Sequence, residues 1–520
     1  MKTNEIPCLY RDDSWLVVHK PTGISTHAAN SGDLGLTEWL ELHHGLKLHV
    51  CSRLDKGTSG VLILAVSAAA SGRAQKIHAE NLSRKTYYFI SDKKHAGESK
   101  WICKEPLDEA ACATTFELIE SGHGYFLYSA EITRGKKHQI RRHAFASGIS
   151  VLGDVDYQGT EFSRLCLHCG DLKWPEIDKD LSVELPRSFQ GLLEGAEDIT
   201  IQTEVTIERR LDWLASITNA FRAVHRGEIM SLPFAIDVFD RWMCVTGYDE
   251  DKSSQELKDQ IQAVLDKLSE QYAIKGGVIK TNRQDPHKRK LFSDLLSWGE
   301  SIPESFLVQE QGCSYEVMLN DTQHIGLFLD QRDTRRRVGL MSSGKRVANL
   351  FSFTCSFSVV AAKENAEIVF SIDLAAGSLD RGKRNFASNE LDKLNRGKFI
   401  KEDVRNWLAR QLKNKQASPK TFKSWDVIIC DPPVFASSGK GQVFSVAKMW
   451  SDLAKDIREI LSENGTAFFS NNHQKGSDHF YLNELKKHFP NVTQLRPPFD
   501  FPKLKGASSG VRIFKTSFSS

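Results

Sequence analysis

Two acids in the 520-residue chain stand where they could do chemistry. Asp55, in CSRLDKGTSGVLILA, lies between Arg53 and Lys56 and is followed by Gly57, Thr58, Ser59 and Gly60 ahead of an apolar run. A carboxylate in that setting stays ionised and can reach into a groove, although taken alone it also reads as a turn acid paired with Arg53. Asp431, in IICDPPVFASS, closes an apolar strand at a stiff double-proline turn that would project its carboxylate and Phe435 toward a base. Between them Asp373 (VFSIDL) and Asp403 (IKEDV) also fall at predicted strand ends. Asp373 could take two ribose hydroxyls, since one carboxylate accepts both bonds, and Asp403 could edge an adenine.

The elements that must position these acids fall into three predicted units. Residues 1–195 mix short strands (WLVVHKP, VLILAV, KTYYFISD, FLYSAEIT) with few long helices, predicting an α+β domain on a mainly antiparallel sheet. A junction is expected at Gly191–Glu204, and 196–314 is predicted as linker plus a small α+β domain, with a helix over ERRLDWLASITNAFR and another over SSQELKDQIQAVLDKLSEQYAI. From 315 to 520 strands and helices alternate, predicting a parallel sheet of Rossmann type with ligands at the carboxyl ends of its strands.

Composition, with 40% hydrophobic and 26% charged residues, is that of folded protein. No apolar run is long enough to span a bilayer and MKTNEIPCLYRDD is not a signal segment, so a cytoplasmic protein is expected. Of ten cysteines, Cys166 and Cys169 (RLCLHCGDL) lack a second ligand pair, and strand residues rather than a metal site are expected. The net charge of +3 is small, but basic clusters at Arg134–His143, Asp285–Lys290 and Asp330–Arg337 would suit phosphates if they line grooves.

The ordered motifs LYRDDSWLVVHKPTGISTH, SRLDKGTSGVLILA, RKTYYFI, GKKHQIRRHAFASGISVLGDVDYQG and RLCLHCGDL resemble the RluA family of pseudouridine synthases over residues 5–175. The resemblance implies that Asp55 is the nucleophile that isomerises uridine in RNA without a cofactor. It also implies that Tyr87 packs on the flipped base, that Arg141 pairs with Asp55, and that Arg53, Lys136, Lys137 and Arg142 meet RNA. Ser52 and Lys136 depart from the family's usual His and Arg. The chain starts close to the catalytic motifs, so targeting is expected from the C-terminal half.

From about residue 204 onward, GLFLDQRDTRRRVG, ANLFSFTCSFSV, DPPVFASS and FFSNNHQKG resemble the rRNA methyltransferases of the RlmI and RlmK type, with a small domain ahead of a class I fold. This implies S-adenosyl-L-methionine as donor and 23S ribosomal RNA as acceptor, with Asp330, Gln331, Arg332, Asn349, Phe351, Asp373, Asp403 and Asp431 around the cofactor, Asp431 also catalytic, and Phe435 against the RNA. Cys355 replaces the family's loop glycine, where a Cβ would strain a backbone of positive φ. Methylating cytosine C5 needs a thiolate, but the chain carries Asn471 and Asn472 where the carbon-methylating branch has cysteine, and Cys430 lies inside a strand. Guanine N7 needs only orientation and is the expected target. The alternatives are 5-methylcytosine, or a half that has lost chemistry and serves as an RNA-binding module.

Overall fold

The computed structural model describes residues 6–30, 32–210, 213–229, 232–249, 251–284, 291–321, 325–437, 443–473, 476–502 and 510–518, without the side chains of 282–284, 291–293, 435–437 and 443–444. The basic cluster Asp285–Lys290 and the side chain of Phe435 therefore lie outside the described residues.

The N-terminal part is built on a ten-stranded sheet. Its centre is Ser59–Ala65, a strand buried at every position, as its unbroken apolar run requires. Trp15–Lys20 pairs with it antiparallel on one side, and Leu167–Lys173 touches it on the other through a short parallel contact, Ser59 to His168 and Gly60 to Cys169. At that contact Gly60 has φ +116°, and a Cβ there would lie 2.1 Å from the Cys169 carbonyl oxygen. Gly60, five residues beyond Asp55, is thus demanded by a close backbone approach between the two strands. Cys169 is a buried strand residue and Cys166 is buried just ahead of the same strand, and no cluster of three metal-ligating side chains occurs among the described residues.

The expected junction is not loose chain. Gly191–Glu204 is divided between helices Arg187–Glu194 and Asp198–Arg210, which turn at Gly195 (φ +74°). Glu208 of the second helix accepts from the backbone N–H and hydroxyl of Ser188, both at 2.9 Å, and from Arg164 at 2.5 Å. Of the helix predicted over ERRLDWLASITNAFR, the described helix Asp198–Arg210 takes in only the first residues, and Ala220–Val224 is instead a strand. Its apolar residues enter a five-stranded sheet whose partner strand is Phe234–Phe239, a pairing that helical periodicity cannot foresee. The long helix predicted beyond it breaks at Ile261 into Ser254–Gln260 and Gln262–Tyr272. Position 314/315 falls inside the strand Cys313–Val317, which forms a hairpin with Phe306–Glu310.

The C-terminal part is a seven-stranded sheet of Arg346–Leu350, Ile368–Asp373, Gly397–Lys401, Trp425–Cys430, Leu461–Asn471, Asn491–Leu495 and Arg512–Ser517. Numbered along the chain, they lie in the order 3-2-1-4-5-7-6. The first five pair in parallel and only the last strand runs antiparallel to its neighbours. The order reverses between the first and fourth strands, so a crevice opens at their carboxyl ends, above Leu350 and Cys430. No helix among the described residues is long and apolar enough to cross a membrane.

Candidate active sites

In the first site, the turn bearing Asp55 is clasped by Lys20–Thr26. Thr22 donates to the Gly57 carbonyl at 2.8 Å, Thr26 to the Leu54 carbonyl at 2.9 Å, and the Gly23 N–H to the Lys56 carbonyl at 2.8 Å. Lys20 is fully buried and donates to the carbonyls of Pro21 and Ile24 at 2.9 and 2.6 Å. Burial, reinforced by Arg164, pulls its ammonium down to about 7, with the Asp55 charge opposing.

The Asp55 carboxylate, 36% exposed, is met by Arg141 at 3.5 Å and His138 at 3.8 Å. The sequence expected Arg141 to pair with Asp55, but its shorter bonds go elsewhere. Asp154 takes two at 2.7 and 2.6 Å and Asp156 one at 2.8 Å, while Tyr157 lies under the guanidinium at 5.0 Å. Burial opposes the charge, but Asp154 and Asp156 keep Arg141 firmly protonated. A fixed cation is thereby presented to Asp55 from a helix, Gln139–Ala146, whose leading residue His138 has φ +55° and accepts or donates at 3.0 Å to the Tyr157 hydroxyl. Sequence reasoning missed Asp154, Asp156, Tyr157, His138 and Lys20. The signal was present in GDVDYQG, where Gly153 (φ +83°) is forced by the Arg164 carbonyl, 1.9 Å from where a Cβ would stand. Tyr87 is 6% exposed beside Cys169, and burial pushes its phenol well up. Arg53 and Lys137 are exposed, Lys136 half-buried, and Arg142 donates to Asp108 at 3.0 Å.

In the second site, Asp373 ends the second strand and accepts from the backbone N–H groups of Phe353 and Ala375, both at 2.8 Å. An ionised carboxylate has about four lone-pair sites, so this one keeps acceptors for a pair of hydroxyls. Leu374 beside it is 52% exposed, an apolar surface for a flat ring. The cradle before it, Phe351 to Cys355, has three side-chain-bearing residues of positive φ: Phe351 (+57°), Phe353 (+47°) and Cys355 (+64°). Cys355 does not fill the crevice. It is buried against Gly382, where a Cβ would lie 2.4 Å from its sulfur. The donor set and open strand end thus fit a nucleoside cofactor.

Three expected cofactor residues lie otherwise. Arg332 is fully enclosed and donates twice to Asp500, at 2.9 and 3.0 Å, and to the Ala220 carbonyl at 3.2 Å. Asn349 is buried under the cradle, donating to Ser358 at 2.9 Å. Asp403 caps its own helix, Val404–Ala417, and Arg405 occupies both its oxygens and holds the carboxyl below its usual range. Gln331 is also buried, with its side-chain oxygen unpartnered among the described residues. Within the Asp330–Arg337 run, two further arginines are engaged by the protein itself. Arg335 is buried in a two-bond pair with Glu310, at 2.7 and 2.8 Å, and Arg336 donates to the Leu42 carbonyl and Glu364.

Asp330 does reach the site. Burial, then the charge of Asp431, pushes its carboxyl up to about 6. Asp431 is raised by burial and accepts from Ser470 at 2.6 Å. Cys430 points into the opposite side of the sheet among Ile428, Trp450 and Phe469, and burial lifts its thiol well above the ordinary range. Burial also lifts Cys355, to about 12. Asn471 is buried and Asn472 exposed.

Comparison with known proteins agrees with both halves. Residues 14–146 match the RNA pseudouridylate synthase family model, and residues 242–515 match that of the S-adenosylmethionine-dependent methyltransferases. The ribosomal RNA large subunit methyltransferase K/L of Alteromonas mediterranea is 30% identical over 316 residues, 59% of this chain and 43% of that protein. The ribosomal RNA large subunit methyltransferase K of Neisseria meningitidis serogroup B is 28% identical over 298 residues, 56% of this chain and 81% of that one. The chain spans less than half the length of the K/L relatives it matches. A solved structure from Streptococcus mutans, described as a SAM-dependent methyltransferase, is 26% identical with a TM-score of 0.51 over 65% of this chain and 85% of its own. Because the methyltransferase match takes in more than half of the chain and the seven-stranded sheet lies within the same region, the chain belongs to the S-adenosylmethionine-dependent methyltransferases, with an RNA pseudouridylate synthase domain on its N-terminal side.

Proposed function

We propose that the chain is a cytoplasmic enzyme with two RNA-modifying sites: Asp55 converts a uridine to pseudouridine, and the C-terminal site methylates guanine, at N7, in large-subunit ribosomal RNA. The parts at 1–195, 196–314 and 315–520 are taken as synthase, connecting and methyltransferase units, and the names of the relatives support the choice of RNA. At the first site Asp55 acts on an unstacked nucleotide, Arg141 and His138 flank and aim it, and Tyr87 walls the pocket. Arg53, Lys136, Lys137 and Arg142 hold the phosphates.

At the second site Asp373 takes the ribose hydroxyls of S-adenosylmethionine, which when bound supplies an electrophilic methyl group on a sulfonium. Asp431 raises the cost of charging Asp330, and a cationic ligand relieves it. Asp431, set by Ser470, can accept from the ring N–H and amino group of guanine and so present the base in one orientation. One observation carries the nitrogen reading. Both cysteines of residues 315–520, Cys355 and Cys430, are buried with pKa values driven upward, and a carbon-5 mechanism needs a thiolate.

Labelled methyl transfer to ribosomal RNA followed by nucleoside digestion tests it. The expected product is 7-methylguanosine, with Cys430→Ser keeping most activity and Asp431→Ala losing about a hundredfold or more. 5-Methylcytidine, lost in Cys430→Ser, would return the site to carbon methylation, and N2-methylguanosine would keep the base but change the atom. In the same protein Asp55→Asn is expected to abolish tritium release from 5-labelled uridine RNA and leave methyl transfer intact, because an amide is no nucleophile.

A further inference from the structure

The helix Arg332–Leu340 follows directly on the turn Leu329–Gln331 that carries Asp330. Turn and helix are bound together, since Arg335 donates to the Phe328 carbonyl at 2.7 Å while its other nitrogens grip Glu310. The turn in turn braces the cofactor cradle. Thr354 donates to the Gly326 carbonyl at 2.6 Å, and the Phe328 ring lies on that of Phe353 at 5.2 Å. Phe353 is the residue whose N–H fixes Asp373.

On its other side this helix is held by the pseudouridine synthase part. Asp333 hydrogen-bonds His43 at 2.9 Å, with side-chain exposures of 5% and 0%, and Arg336 donates to the carbonyl of the adjacent Leu42 at 3.1 Å. His43 lies in the last turn of the helix Leu36–His44 and against Trp39 at 4.6 Å, and Trp39 in turn touches Phe499 and Trp213. The other ring nitrogen of His43 has no hydrogen-bond partner among the described residues. The polar contact of this buried imidazole is thus a carboxylate of the other catalytic part. His43 lies outside the Asp55 clasp, and nothing in pseudouridine formation requires it.

We propose that His43 is a positioning residue of the methyltransferase: through Asp333 it fixes the helix Arg332–Leu340, and thereby the Gly326–Gln331 segment and the cradle that receives S-adenosylmethionine. The synthase part thus serves as a structural member of the other site, and cofactor affinity depends on the seam between the two. The inference rests on the reading that Asp330 and the Phe351–Cys355 cradle border the cofactor.

The test is S-adenosylmethionine affinity by calorimetry on the full chain, with the KM for the cofactor and kcat of methyl transfer measured beside it. His43→Ala removes the partner of a buried carboxylate, and about tenfold weaker binding is expected, with KM rising by the same factor and kcat changing less than twofold. His43→Gln, which still offers an N–H, is expected to recover most of the loss. Tritium release by the synthase site is expected unchanged in both variants, which a general loss of fold would not allow. If His43→Ala misfolds, Asp333→Asn, which keeps shape and acceptor but not charge, carries the same expectation at about threefold. Wild-type affinity in His43→Ala together with weakened affinity in Asp330→Asn overturns the coupling and leaves the cradle reading standing. Wild-type affinity in Asp330→Asn instead overturns the reading on which the coupling rests.

Discussion

Asp330 carries a cost that its neighbourhood does not remove. Its folded-state pKa, pushed up to about 6, lies above the ordinary aspartate value, so the native state holds its proton more tightly than the unfolded chain does. Stability from this group is complete below about pH 4 and is lost as pH rises through 6. Asp330→Asn is therefore expected to raise stability at pH 7.5 by about 3 kcal/mol and to leave it unchanged near pH 4, read by urea melts at the two pH values. Cofactor affinity is expected to fall in the same variant, the signature of a residue kept for function. Residues of this kind were legible in the sequence when their task is local. Asp55, Asp373 and Asp431 announce themselves by an acid at a turn or strand end, and the structure places each there. The surroundings of Arg332 and Asn349 were not legible, because the direction of a side chain is decided by partners, Asp500 and Ser358, that the motif alone does not reveal.

The cradle Phe351–Cys355 and the helix Ala376–Ser388 have adapted to each other. A cysteine at φ +64° stores about 1 kcal/mol of backbone strain, and its side chain fits because residue 382 is glycine. Gly382→Ala would drive a methyl group into the sulfur and is expected to destabilise by about 2 kcal/mol and weaken cofactor binding. Cys355→Gly combined with Gly382→Ala is expected to recover most of that loss, and a double-mutant cycle of chemical denaturation measures the coupling. The alternation of strands and helices in this half was readable because parallel strands are continuous apolar runs between amphipathic helices. The stretch after Arg210 was not, because Ala220–Val224 becomes a strand only through Phe234–Phe239, and short apolar runs do not declare their partners.

Across the whole molecule, formal charge and usable charge diverge. Arg332 and Arg335 count toward the net charge but are consumed by Asp500 and Glu310, whereas Arg53 and Lys137 stand exposed and Lys136 is half-buried. Replacing Lys136 and Lys137 with alanine is expected to flatten the slope of log K against log salt for single-stranded RNA by about 1.4. Arg335→Ala should leave the slope alone and cost about 3 kcal/mol of stability, because Glu310 would remain buried without its partner. A fluorescence-anisotropy salt series and a melt distinguish the two effects.

The Asp500 clasp also has a consequence for the order in which the molecule is made. Asp500 receives Arg332, the Arg222 N–H and, through its carbonyl, Arg210, while Arg496 reaches back to Asp33. Arg210 lies 290 residues ahead of Asp500 in the chain. As synthesis proceeds, the synthase sheet has all its strands once residue 182 has emerged, yet Asp33 and Arg332 lack these counter-ions, and Arg210 this carbonyl, until the segment around residue 500 arrives. Emergence of that segment should therefore be followed by a slow docking step in which Arg332 and Asp500 are buried together, and until then the nascent chain is exposed to aggregation.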